Sequence, residues 1–246
     1  MNIADNIKRI SERIATICQG CQRDPAAVRL IAVSKKKPAA DIEAAASAGQ
    51  RLFGESYVQE CVAKIDEVGT EVEWHFIGAL QTNKVKYLRG KVAMIHSVDR
   101  LSLAKEIDRQ WGKDDACVDI LLQVNLGEEE SKGGTTAEAL VDLARKVSPL
   151  PHLRIKGLMA LPPWVADPEE VRPYFRQLRE LAETIDALGL PKVTMQELSM
   201  GMSHDFEVAI EEGSTMVRVG TAIFGPRRYL IPEEIAALAA KRAQEI

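Results

Sequence analysis

The sequence predicts a TIM-type (β/α)8 barrel, and three observations carry that expectation. Eight apolar runs of strand length alternate with helix-like segments along the whole chain. Most of these runs are apolar on both faces, the pattern of parallel strands covered on both sides. The length, 246 residues, is about what eight strands and seven crossovers require. A doubly wound open sheet is the alternative. It usually has fewer strands and a Gly-rich first turn, where this chain has "KKKP".

The elements follow in order. "MNIADNIKRISERIATICQG" reads as an amphipathic helix over 1–20, with Ile3, Ile7, Ile10, Ile14 and Ile17 at helical spacing and Gly20 as its stop. The first strand is "RLIAVSK" (29–35), and the helix after it starts with Pro38 and stops at Gly49. Strands "RLFGE" (51–55), "EWHFIG" (73–78), "AMIHSV" (93–98) and "VDILLQVN" (118–125) come next. The helix "TTAEALVDLARKV" is capped by Thr135 or Thr136, with Glu138 just inside. "RIKGLMAL" (154–161) precedes a long amphipathic helix in which Pro173 marks the true start or a kink. "QELSMG" (196–201) and "MVRVG" (216–220) complete the strands, and the tail over 231–246 reads as a closing helix. No internal repeat, low-complexity tract or linker divides the chain, so a single domain over 1–246 is expected.

Composition narrows the function classes. A net charge of -4 leaves no basic surplus for a general nucleic-acid binder. No apolar run approaches membrane-spanning length, and the N-terminus lacks the apolar block of a signal peptide, so the cytosol is the expected compartment. Cys18, Cys21, Cys61 and Cys117 read as free thiols. The CxxC pair of Cys18 and Cys21 sits at a helix end, not at the helix N-terminus that stabilises a reactive thiolate.

In such barrels chemistry sits at the C-terminal ends of the strands. Lys35, Lys36 and Lys37 stand there after strand one. A lysine at that mouth can hold an anion, or can form a Schiff base with a carbonyl if its amine is neutral. Alternation groups Lys35 with Ile31 and Val33, and Lys36 with Ala32 and Ser34; both sets are flanked by apolar residues, so parity leaves the choice open. The turns after strands seven and eight hold Ser199, Gly201, Ser203, Gly220 and Thr221. Loops there commonly bind phosphate through backbone N–H groups and hydroxyls. Arg218 lies inside an apolar strand, two residues before Gly220, and a buried arginine needs a partner. A Schiff-base lysine, a phosphate cup and a positioned arginine together describe a pyridoxal 5'-phosphate (PLP) site.

Here the segments "AVSKKKP", "FGESYVQE", "EWHFIGALQTNK", "KGLMAL", "LSMGMS" and "STMVRVGTAIFGPR" resemble, in order, the motifs of the pyridoxal phosphate homeostasis protein family. The resemblance implies the barrel of the fold-type III PLP enzymes, similar to the N-terminal domain of alanine racemase. It implies that Lys35 bears the PLP and that Arg218 faces the pyridine nitrogen. Ser199, Met200, Gly201 and Ser203, with Gly220 and Thr221, would hold the phosphate, and Met159 would lie near the ring. Ser56 stands where the family usually has asparagine, which puts one polar contact near the cofactor in question.

The resemblance implies a carrier that buffers and delivers PLP, with apo PLP-dependent enzymes as recipients. The residues agree with it. An arginine at the pyridine nitrogen makes a poor electron sink. The racemases that share it use a second base from a C-terminal domain, which is not expected here. The competing readings are a PLP-dependent amino-acid racemase or lyase, and a Schiff-base aldolase acting on a sugar phosphate. His75, His96 and His204 read first as hydrogen-bonded structural residues. Trp74 reads as core. Gln81, Asn83 and Lys84 line the site or cap the next helix, and "GEEESKGG" (127–134) is a polar rim loop.

Overall fold

The computed structural model describes residues 2–127 and 133–226; the expected closing helix over 231–246 and residues 128–132 of the rim loop lie outside them. Eight parallel strands close into a barrel in chain order: β1 (Arg29–Val33), β2 (Leu52–Glu55), β3 (Glu73–Phe76), β4 (Met94–Val98), β5 (Val118–Val124), β6 (Leu153–Ala160), β7 (Val193–Met202) and β8 (Met216–Val219). Helices α1 (Ile3–Gly20), α2 (Ala39–Ser47), α3 (Val58–Glu67), α4 (Leu101–Trp111), α5 (Ala137–Val147), α6 (Arg172–Asp186), α7 (Phe206–Glu211) and α8 (Thr221–Phe224) surround it. Between β3 and β4 a tight 3-10 turn over Thr82–Tyr87 takes the place of a full helix. Among the described residues no helix is long and apolar enough to cross a membrane.

Local chemistry accounts for the boundaries. Asn2 caps α1 by accepting from the N–H groups of Ala4 and Asp5. That helix ends at Gly20, as expected, and the left-handed residue beyond it is Gln22, at φ 57°. Thr136, not Thr135, caps α5 through the Ala139 N–H. Pro173 stands in the first turn of α6, where its missing N–H costs nothing, so it marks a start and not a kink. Cys18, Cys21, Cys61 and Cys117 are free.

Two layers make the core. Ile31, Leu52, Met94, Leu121, Met159 and Met216 meet inside the barrel. A larger cluster, with Phe53, Phe76, Ile95, Phe175 and Phe206 fully or nearly fully buried, fills the space between strands and helices. Trp74 belongs to that outer layer and packs on Phe53 with ring centroids 5.7 Å apart.

The first strand ends two residues earlier than expected. The Ser34 N–H still bonds the Gly54 carbonyl, but the Lys37 N–H then turns back to the Ser34 carbonyl at 3.0 Å. Lys35 and Lys36 are the middle residues of that turn, and Lys36 is left-handed at φ 62°, a conformation that glycine usually supplies. A buried ion pair holds the turn from below. Lys64 Nζ donates to the Ser34 carbonyl at 2.6 Å, to Glu55 Oε1 at 2.6 Å and to Glu60 Oε1 at 2.7 Å. Ser34 Oγ donates to the same Glu55 oxygen, and the Lys36 N–H donates to Glu60. Burial pushes the Glu55 carboxyl up, and Lys64 offsets part of that push.

Removing one partner of such a pair leaves an uncompensated buried charge. Lys64→Met is expected to cost about 3–5 kcal/mol in urea unfolding. The Lys64→Met, Glu55→Leu double replacement should recover most of the loss. A single variant as stable as the wild type would remove the pair from any role in holding the turn.

Candidate functional site

The C-terminal ends of the strands surround a cavity of about 610 Å³. Lys35, Ser56, Tyr57, Gln81, Lys84 and Gln123 supply its polar wall. The cavity itself decides the question that parity left open. Ile31 lies inside the barrel and pairs with Arg218, but β1 ends at Val33, so it is the cavity lining and not alternation that separates the two lysines. Lys35 borders this cavity and also a small recess of about 20 Å³ formed with Val33, Lys37, Gly220, Thr221 and Gly225. Lys36 is exposed, and Lys37 is occupied elsewhere: its Nζ donates to the carbonyls of Phe224 and Pro226.

The expected phosphate cup is brought together in part. The Ser203 hydroxyl accepts from the Gly220 N–H at 3.4 Å and lies 3.4 Å from the Thr221 hydroxyl. Gly201, the last residue but one of β7, is left-handed at φ 90°, and a Cβ there would lie 2.6 Å from the Ala209 Cβ, so the end of this strand requires glycine. Ser199 and Met200 do not join the cup. Met200 packs in the outer layer, and Ser199 is fully buried inside the barrel. β7 runs on to Met202, so both residues lie within the strand, not in the turn. Met159 lies in the inner cluster beneath the mouth. Ser56 is on the cavity wall, where its backbone crowds Gly78: a Cβ on that glycine would come within 2.2 Å of the Ser56 carbonyl oxygen.

Arg218 is buried to 4% exposure. Its Nη1 donates to Ser199 Oγ at 2.5 Å and its Nη2 to the Ala160 carbonyl at 2.9 Å. Both acceptors are neutral, and among the described residues no carboxylate forms an ion pair with it. Burial pushes the guanidinium pKa down to about 10, with the Asp205 carboxylate opposing part of that push from a distance.

Tyr57 and Gln123 escaped the sequence reading. Tyr57 carried no signal beyond following Ser56. Gln123 did carry one, as a polar residue in the apolar run "DILLQV"; its side-chain amide donates to the Gly133 carbonyl at 2.6 Å and ties the end of the rim loop to the wall. Of the expected lining residues, Gln81 and Lys84 face the cavity and Asn83 does not. His204 stacks on Trp164 at the rim, ring centroids 6.0 Å apart. His75 and His96 lie within β3 and β4 and are buried against each other, His75 Nδ1 to His96 Nε2 at 2.9 Å. Among the described residues no group of His, Cys, Asp and Glu could hold a metal ion.

Burial pushes the pKa of both histidines down, that of His96 well below 6.5. An imidazole kept neutral in the folded state and free to charge in the unfolded one stabilises the fold above about pH 6.5, and that stability is lost as pH falls through the folded-state value. Below about pH 6.5 each imidazole should subtract up to about 1.4 kcal/mol per pH unit. Urea midpoints measured between pH 7.5 and 5 should fall, and the slope should flatten in His96→Phe. An unchanged slope would mean that His96 titrates normally.

The geometry can be set beside known proteins. The description "Alanine racemase, N-terminal domain" fits residues 3–228. The pyridoxal phosphate homeostasis protein of Aquifex aeolicus is 46% identical over 93% of this chain and 100% of its own. The crystal structure of an unknown protein from Bifidobacterium adolescentis superposes with a TM-score of 0.86 at 37% identity, over 91% of this chain and 94% of the other. PipY of Synechococcus elongatus, solved with PLP bound, gives a TM-score of 0.77 at 39% identity, over 88% of this chain and all of PipY. On sequence and fold together, this chain belongs to the alanine racemase N-terminal domain family and, within it, to the pyridoxal phosphate homeostasis proteins.

Proposed function

We propose that this chain is a single barrel domain that binds PLP at its C-terminal mouth through Lys35, and that it buffers and delivers the cofactor without turning over amino acids. The observation that carries the reading is Arg218, a buried cation without a carboxylate partner among the described residues, held in the barrel beneath the Lys35 turn. A buried cation left that way favours an electron-rich group above it.

The donor set fits the cofactor. Lys35 offers a primary amine on the cavity wall. The Ser203 and Thr221 hydroxyls and the Gly220 N–H cluster where a phosphate can be held. The names of the relatives support the same ligand. Bound PLP supplies an aldehyde that joins an amine reversibly, and a ring that takes up electrons well when its nitrogen is protonated. Arg218 is charged and a donor at neutral pH and would keep that nitrogen unprotonated. The chain therefore binds and orients the cofactor while withholding the carboxylate partner that favours carbanion chemistry. Delivery needs only a reversible link and a phosphate released from neutral donors, and apo PLP-dependent enzymes are the recipients this chemistry suits.

Borohydride reduction of the PLP-loaded protein followed by peptide mapping is expected to place the pyridoxyl group on Lys35. Lys35→Ala should lose the label and the absorbance near the visible edge while keeping the wild-type melting temperature of the unloaded protein. A label on Lys36 or Lys37 would overturn the assignment. A colourless protein whose lysine is trapped by a sugar phosphate would point to an aldolase.

Incubation with L-alanine in deuterated water should give no steady deuterium at Cα, while PLP passes measurably to an apo-enzyme. Loss of general acid–base help costs on the order of 10²–10⁴ in rate. Tyr57 is the phenol nearest at hand on the cavity wall. Steady incorporation that disappears in both Lys35→Ala and Tyr57→Phe would make the protein a two-base enzyme instead of a carrier.

A further inference from the structure

A row of hydrogen bonds crosses the inside of the barrel, and its two ends fix its direction. A guanidinium only donates and an ionised carboxylate only accepts. Arg218 Nη1 donates to Ser199 Oγ at 2.5 Å, which leaves the Ser199 hydroxyl proton for His96 Nδ1 at 2.9 Å. With Nδ1 accepting, a neutral His96 carries its proton on Nε2 and donates it to His75 Nδ1 at 2.9 Å. His75 in turn donates from Nε2 to Glu73 Oε1 at 2.7 Å. The reverse order fails at the last step, where a bare Nε2 would face a carboxylate with no proton to give. That hydrogen bond holds the Glu73 carboxyl below its usual range, so it is ionised at neutral pH.

The five side chains come from four strands, β3, β4, β7 and β8, whose paired residues share the inner face. The charged groups facing the imidazoles are Glu73 on β3, Arg29 on β1, Glu197 on β7 and Arg218 on β8; Arg29 and Glu197 satisfy each other at 2.6 Å. Each ring nitrogen is used once, and burial disfavours a charge on either ring. The Glu73 side chain is 49% exposed and borders an open cavity at the opposite mouth, with Arg51, Trp74 and Lys91.

We propose that Ser199, His96 and His75 are positioning residues for Arg218: a one-way hydrogen-bond relay, anchored on Glu73 at the far mouth, that fixes the orientation of the guanidinium inside the barrel. Its effect on the cofactor rests on the reading of Arg218 given above; the relay itself is a property of this chain. Aligned hydrogen bonds polarise one another, so an anchor at one mouth is felt at the other. The relay also accounts for Ser199, which stands in the barrel and not in the phosphate cup.

The test begins without cofactor. Imidazole ¹⁵N spectra of the unloaded protein at pH 7.5 should show His75 and His96 neutral and protonated on Nε2. Ser199→Ala should move the His75 nitrogen signals, and Glu73→Ala, at the exposed far end, should move the Arg218 side-chain signals. Either ring charged or protonated on Nδ1, or remote signals that stay put while only the melting temperature drops, overturns the relay. With PLP added, Ser199→Ala should weaken binding about tenfold or more, as a lost hydrogen bond to a charged group does, with Ser199→Thr restoring it. Glu73→Ala should shift the absorption maximum of the loaded protein. Normal binding and an unmoved maximum in both variants would overturn the positioning role. The spectra of the unloaded protein decide on the relay whatever residue carries PLP, whereas a failure of the Lys35 assignment would appear as borohydride label at another lysine.

Discussion

The pairing of β1 with β8 is the constraint on which the rest of the site depends. Ile31 pairs with Arg218 and Ala32 with Val219, so residues almost two hundred positions apart become neighbours. Closure sets the Lys35 turn against the Gly220 turn; a Cβ on Gly220 would lie 3.2 Å from the Val33 carbonyl oxygen. The seam is fastened from both sides. Lys37 donates to carbonyls at the end of α8, the Asn6 side chain donates to the Ile223 carbonyl at 2.8 Å, and Arg23 donates to the Ile210 and Ser214 carbonyls. The N-terminal segment thus acts as a brace on the last strand. A parallel barrel has no hairpin to hold its first and last strands together, so the β1–β8 ladder is backed by such distant side chains.

The protein buries charge in two different ways. Outside the barrel, Lys64 spends all three of its N–H donors on Ser34, Glu55 and Glu60 beneath the Lys35 turn. That pair satisfies itself, apart from Glu55 Oε2, which has no hydrogen-bond partner. Inside the barrel, Arg218 gives its hydrogen bonds to a hydroxyl and a carbonyl, and its charge is left to whatever occupies the mouth. The first arrangement suits a support and the second suits a binding site, because a buried charge with no direct ion-pair partner, balanced only at a distance by Asp205, gains more when an electron-rich ligand arrives.

Much of this was legible in the sequence. Periodicity and two-faced apolar runs gave eight strands in the right order, since strand burial writes itself into composition. The position of Lys35 at a strand end, the glycine turns near Gly201 and Gly220, and an arginine within "MVRV" marked the mouth, because a charge in an apolar strand is costly and therefore conspicuous. The ordered motifs then pointed to the family. What one strand could not reveal was facing: Lys35 and Lys36 were equivalent by parity, and the structure separates them because the turn after Val33 leaves Lys35 on the cavity wall and Lys36 exposed. Ser199 and Ser203 looked alike in "LSMGMS" for the same reason.

The sequence by itself determined the strand order and the barrel class, which rest on local pattern and spacing, while the choice of Lys35 among the three lysines came from the family resemblance. Only the tertiary structure decided which residues meet across the barrel. Glu73, His75, His96, Ser199 and Arg218 span 146 positions of sequence and touch only because β3, β4, β7 and β8 surround one narrow interior. Hydrogen bonds are made at about 3 Å and depend on which ring nitrogen faces which partner. No spacing rule along the chain encodes that. Strand closure and register do, and they exist only once the chain has folded.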